Sequence, residues 1–118
     1  MAAVAQGEVW WVDDGEPDGS EPGYARPWVI IQNNRTNATR LKTAIACPLT
    51  TILRLANAPG NVLLEAGEGG ITRASVVNVS KVTAYDIDRF TELIGRIPQH
   101  RVNQIVRGLN QLLVPSEP

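Results

Sequence analysis

Arg26 stands beside Pro27 at the entrance to the apolar run WVII, and Thr50 and Thr51 close the later run AIACPL. An arginine offers a planar fork of donors that matches a phosphate bidentately and keeps its charge. A threonine hydroxyl adds a further donor. Held together, the two types make an anion site and point to phosphodiester chemistry. Ser20 and Glu21 precede the Pro22-Gly23 turn on the way to Arg26, where a carboxylate can act as a base or orient the arginine. Trp10 and Trp11 are consecutive in an extended run, so one of them must leave the core. An outward indole beside basic residues is a stacking platform for single-stranded bases. A plainer role stays open for each residue. Arg26 can bridge to Glu21 or Asp18, Thr50 can bond its own turn, Glu21 can be a solvated loop acid, and the outward tryptophan can mark a subunit contact.

The strands that carry Arg26 and Thr50 must also bring them together. In a simple hairpin the end of the later strand need not lie near the start of the earlier one; the strong curvature of a small barrel could bring them together, a step the sequence does not supply.

Charge is distributed unevenly. Residues 1–21 hold six acids and no base, whereas residues 22–64 hold five bases (Arg26, Arg35, Arg40, Lys42 and Arg54) and no acid. A positive patch on the middle third is therefore expected despite the net charge of −1; pairing of these bases with the acidic first third is the alternative.

Other chemistries find little footing. One cysteine, Cys47, and one histidine, His100, leave no ligand set for a structural zinc and no internal disulfide. Cys47 lies within an apolar run and reads as a small buried hydrophobe. The sequence has no Gly-x-Ser-x-Gly turn near His100 and no phosphate loop with its lysine. No metal or cofactor is expected. The 118 residues fit one domain over 1–118. The first residues, MAAVAQGE, lack the basic start and apolar stretch of a secretory signal, no apolar run approaches the roughly 20 residues of a membrane helix, and a cytoplasmic protein is expected.

The elements are short strands followed by a helix. Strands are predicted at residues 7–13, 26–33, 41–49, 61–65, 75–83 and 90–97. A long hairpin loop covers 14–24 and a polar turn 33–40. Residues 50–58 form a short helical turn with Ile52, Leu53 and Leu55 tucked inward. In the strand at 75–83, Asn78 and Ser80 share one face and Val77, Val79 and Lys81 the other. Asp86 caps a turn through Arg89. Val102, Ile105, Val106, Leu109, Leu112 and Leu113 recur at helical spacing, with Pro98 in the first turn and Pro115 as the stop. The sum is a mainly β protein, a curved antiparallel sheet in an SH3-like barrel with a C-terminal helix.

The pieces GEVWWVD, GSEPGYARPWVIIQN and CPLTT, in this order and spacing, resemble the MazF/PemK family of toxin components of bacterial toxin–antitoxin pairs. APGNVLL, SVVNVSKVTAYDIDRF and IGRI before the helix extend the resemblance over about residues 7–113. It implies a CcdB/PemK-like barrel, a homodimer, and metal-free, sequence-specific cleavage of single-stranded RNA by 2′-hydroxyl transesterification. It also implies a cognate antitoxin whose disordered acidic tail lies over the active groove. The family's key arginine falls on Arg26, its key threonine or serine on Thr50, its loop glutamate on Glu21 and its first-strand tryptophan on Trp11. Glu21 is the leading choice for the base. RNA contacts are expected at Trp11, Ser20, Gln32, Asn33, Thr51 and Lys81. Many relatives carry glutamine where this chain has Lys81; a lysine cannot accept a hydrogen bond, so a different base preference is expected. CcdB-like toxins, which bind DNA gyrase without cutting RNA, share the expected fold and form the alternative. A binding module that has lost activity is a third possibility, opposed by the presence of both Arg26 and Thr50.

Overall fold

Alternation of apolar side chains on both faces of the central strands organises this protein. The computed structural model describes residues 3–13 and 25–117. The expected loop at 14–24, with Ser20 and Glu21, lies outside the described residues. The strands are β1 (Glu8–Val12), β2 (Arg26–Ile30), β3 (Thr43–Thr50), β4 (Val62–Leu64), β5 (Ser75–Val77), β6 (Thr83–Asp86) and β7 (Phe90–Arg96). A short helix α1 (Asn34–Asn37) joins β2 to β3, and α2 (Gln99–Leu113) follows β7. All pairings are antiparallel, in the order β4-β5-β3-β2-β1-β7. β6 lies beside β3 as well. One edge of β3 therefore serves two strands in turn. Thr43 to Ala46 face β6, and Leu49 and Thr50 face β5. This is the curved sheet with a C-terminal helix that the sequence predicts.

Successive residues of a strand point to opposite faces, and here both faces are covered. Val9, Val29, Ile31, Cys47 and Leu49 join the cluster under α2 with Val102 and Ile105. Trp10, Val12, Trp28, Ile30, Ala44 and Ala46 form a second cluster with Phe90. Trp10 is the buried member of the tryptophan pair, and Trp11 is only half-buried.

Five expectations are corrected. The strand predicted through residues 75–83 stops at Val77. Asn78 leads into a 3-10 turn, Val79–Lys81, and the chain resumes as β6. The break lets the chain leave one end of β3 and rejoin its other half, while Val79 stays fully buried under α2. The turn Leu53–Asn57 forms, but Ile52 and Leu53 are 43% and 49% exposed rather than tucked in. The apolar stripe of α2 outruns the sheet, leaving Leu112 and Leu113 at the surface. Asp86 precedes the turn Ile87–Arg89 without a side-chain cap. Pro98 is the residue just before α2, and the helix ends two residues before Pro115. No helix among the described residues is long and apolar enough to cross a membrane.

Two contacts seat α2. Gly60 and Gly108 meet backbone to backbone, so a Cβ on Gly108 would stand 2.0 Å from the Gly60 carbonyl oxygen. Arg101 Nε and Nη2 donate to the two carboxylate oxygens of Glu68 at 2.9 and 2.8 Å. The hydrogen bond from Arg101, reinforced by the Glu65 N–H, pulls the Glu68 carboxyl from 4.5 down to about 2. A carboxyl whose folded pKa is depressed contributes stability above its unfolded value and loses it as pH falls through the folded one.

Two predictions follow from these contacts. Helix propensity alone would make Gly108→Ala stabilising by about 1 kcal/mol, whereas the overlap makes it destabilising by about 1–3 kcal/mol; a raised denaturant midpoint for the variant would refute the contact. Glu68→Gln is less stable than the wild type at pH 7, and the gap closes as pH falls from 4.5 to about 2. A gap that stays constant in acid-titrated thermal melts would remove the pair's role.

Candidate active site

Arg26 opens β2 and Thr50 closes β3. The strands pair with Trp28 across from Pro48, Val29 from Cys47 and Ile30 from Ala46. Continued by two residues, that register sets Arg26 across from Thr50. Barrel curvature is not needed, because the start of the first strand of an antiparallel hairpin faces the end of the second. The reading that a simple hairpin need not bring the pair together is corrected accordingly.

Both residues line one cleft of about 370 Å³, together with Trp11, Pro27, Thr51, Ile52, Leu55, Asn78 and Lys81. Arg26 hangs from backbone fixed on two sides, since its other neighbour is the fully buried Val12 of β1. Trp11 pairs with Pro27 in the same register. Thr50 Oγ1 accepts a hydrogen bond from the Ile52 N–H at 3.2 Å. A hydroxyl has one proton to give and two lone pairs, so the bond to its own turn leaves that proton available to a ligand. The plain role and the functional role of Thr50 are thus compatible.

The far wall comes from the break after β5. The Asn78 N–H donates to the Pro48 carbonyl at 2.9 Å, and the Lys81 N–H to the Asn78 carbonyl at 3.2 Å. Asn61 ties this wall to the turn Leu53–Asn57: its amide donates to the Leu55 carbonyl at 2.9 Å, and its Oδ1 accepts from the Val79 N–H at 3.0 Å. Asn78 and Leu55 are lining residues that the sequence did not place at the site. The alternation VVNVSKV concealed Asn78, because it reads as unbroken strand. The asparagine after Pro59-Gly60 was the available sign that a turn is being anchored.

Among the described residues the charged groups that line the cleft are cations. Arg26 and Lys81 line it, and no carboxylate does among the described residues. Of the five bases of the middle third only Arg26 lines this cleft, and Arg40 and Lys42 line another cavity beside Asp86 and Asp88. Positive charge reaches the cleft from Lys81 instead.

Gln32 and Asn33, expected to contact RNA, are not brought to this cleft. Gln32 is buried, donating to Asn37 Oδ1 at 2.8 Å and to the Thr43 carbonyl at 3.1 Å. Asn33 caps α1, its Oδ1 accepting from the Thr36 N–H at 2.9 Å. Both side chains build the β2–β3 connection. Cys47 is fully buried, and desolvation pushes its thiol up to about 12, which makes it inert as a nucleophile. Among the described residues no group of three or more His, Cys, Asp or Glu side chains is placed to hold a metal ion.

The fold is a small curved sheet with a cleft, lined by Arg26, Thr50 and Lys81, at a hairpin end. The chain belongs to the PemK-like, MazF-like toxins of type II toxin–antitoxin systems, whose family model matches residues 5–113. It is 37% identical over 110 residues to endoribonuclease MazF2 of Mycobacterium bovis, covering 93% of this chain and 96% of that protein. It is 29% identical over 106 residues to endoribonuclease EndoA of Bacillus subtilis, covering 90% of each. Among solved structures, a mycobacterial endoribonuclease in complex with its cognate antitoxin aligns over 100% of both chains at 24% identity with a TM-score of 0.74. MazE–MazF from Deinococcus radiodurans aligns over 98% and 100% at 21% identity with a TM-score of 0.74. At these identities the solved structures speak for the shared fold. The gyrase-binding alternative is not favoured, since the matching family is the PemK/MazF one.

Proposed function

We propose that this chain is an endoribonuclease toxin that cuts single-stranded RNA in the cleft lined by Arg26 and Thr50. The observation that carries it is the shared cleft itself, which joins a guanidinium, a hydroxyl and a second cation, Lys81. The endoribonuclease names of relatives at 37% and 29% identity support the same activity.

In this reading the ribose 2′-oxygen attacks the adjacent phosphorus and the bond to the 5′-oxygen breaks. The products are a 2′,3′-cyclic phosphate and a 5′-hydroxyl. Charge builds on the non-bridging oxygens as the phosphorus becomes five-coordinate. Arg26 offers them a fork of charged donors, and Thr50 offers its free O–H. Arg26 also assists proton delivery to the departing 5′-oxygen. Glu21 is the proposed acceptor of the 2′-hydroxyl proton. These groups supply the charge stabilisation without a metal. Trp11 offers a stacking surface to a neighbouring base, and Thr51 and Lys81 add polar contacts to the strand.

A cognate antitoxin with an acidic disordered tail is the proposed partner. The two cations of the cleft give such a tail its attraction, and a solved relative is described in complex with its cognate antitoxin. A homodimer acting in the cytoplasm is carried over from the family.

Arg26→Ala and Thr50→Val each lower the single-turnover rate on RNA by at least about 10²–10³, the usual loss for one transition-state donor, with circular dichroism and melting temperature unchanged. Wild-type rates in Arg26→Ala would remove the arginine from the chemistry. An RNA with a 2′-deoxy sugar at the mapped cut site is bound but left intact; its cleavage would make water the nucleophile.

A further inference from the structure

The cleft does not end at Trp11. A second hollow of about 250 Å³ lies beyond it, and Trp11, Pro27 and Thr51 form a wall of both. Its far side is built by Ile71, Thr72, Arg73 and Ile94. That side is rigid at its base. Gly70 crosses β7 so closely that a Cβ there would stand 2.4 Å from the Ile94 carbonyl oxygen. Ile71 is buried, its carbonyl accepting from the Gly67 N–H at 2.8 Å. The Ser75 hydroxyl donates to the Arg73 carbonyl at 3.0 Å. The Arg73 side chain is exposed and makes no hydrogen bond or ion pair among the described residues.

The chemistry of this hollow differs from that of the cleft it adjoins. Pro27, Ile71, Ile94 and the Trp11 indole give it apolar walls, and Arg73 is its one charged group among the described residues. A phosphate site gathers several donors. An apolar slot with one aromatic wall and one guanidinium suits an unstacked base, which exposes a flat apolar face and a hydrogen-bonding edge.

We propose that the hollow receives a base flanking the scissile phosphate, stacked on Trp11 and read at its edge by Arg73. The inference rests on the RNA-cleavage reading and adds a specificity-determining residue to it. A guanidinium fork prefers two neighbouring acceptors. Guanine presents them at O6 and N7, and cytosine at O2 and N3; on their Watson–Crick and Hoogsteen edges adenine and uracil set a donor beside each acceptor. Arg73 therefore selects guanine or cytosine at one position.

The test digests a long RNA of known sequence with wild-type protein, Arg73→Ala and Arg73→Lys, and maps the 5′ ends of the fragments. Wild type is expected to favour guanine or cytosine at one position within two nucleotides of the cut. In Arg73→Ala that preference falls about tenfold or more, the value of one bidentate contact, while preferences elsewhere persist. Arg73→Lys keeps the charge but not the fork, and stays relaxed at the same position. An unchanged profile in Arg73→Ala, or full restoration by lysine, overturns the inference and leaves the RNA-cleavage reading standing. A wild type that cuts no RNA removes both. Should Arg73→Ala be too slow to map, binding of two RNAs, each 2′-deoxy at the cut site and differing only at the selected base, replaces cleavage. Equal weakening of both overturns the inference, and loss of discrimination between them supports it.

Discussion

The register between β2 and β3 is the constraint on which the rest of this molecule depends. A slip of one residue in a sheet turns every side chain to the opposite face. Here neither face can accept it. Val29 and Cys47 belong to the cluster under α2, while Trp28, Ile30 and Ala46 belong to the cluster on the other side. Sliding β2 by one would drive Trp28 toward the helix and withdraw Val29 from it. Two cores, one on each face, thus hold a single alignment, and that alignment faces Arg26 with Thr50. The precision of the site comes from the packing of mainly apolar side chains on both faces.

The second organising feature is the divided edge of β3. Because β5 and β6 share it, the chain must break between them, and the break delivers Asn78 and Lys81 to the cleft. Asn61 stabilises the arrangement from outside by spending both ends of its amide on two turns. The Gly60–Gly108 contact then clamps the start of that same segment against α2. The cleft wall is consequently tied to the helix, although α2 offers it no lining residue.

Much of this was legible in the sequence, for identifiable reasons. Every predicted strand has a counterpart, because short apolar runs bounded by glycine, proline and asparagine leave few alternatives. The chemical types at Arg26 and Thr50 could be read directly, and the resemblance to the MazF/PemK toxins rested on motifs that flank them. Their juxtaposition needed the pairing of β2 with β3. The break after Val77 was hidden because Val79 is buried within a 3-10 turn, which preserves strand-like alternation without strand geometry. Leu112 and Leu113 continue the helical period beyond the point where the sheet ends, and periodicity carries no information about where a partner surface stops. Gln32 and Asn33 look like surface polar residues by type, yet their amides close the connection through α1.

The division of labour within the sheet bears on how such proteins change over time. The proposed reactive pair, Arg26 and Thr50, sits on a hairpin locked from both faces, whereas Asn78, Lys81 and Arg73 sit on connecting segments outside that lock. Substitutions in those connections can accumulate with the hairpin undisturbed. If the proposed roles hold, a lineage built on this scaffold can drift from one target sequence to another without passing through an inactive ancestor.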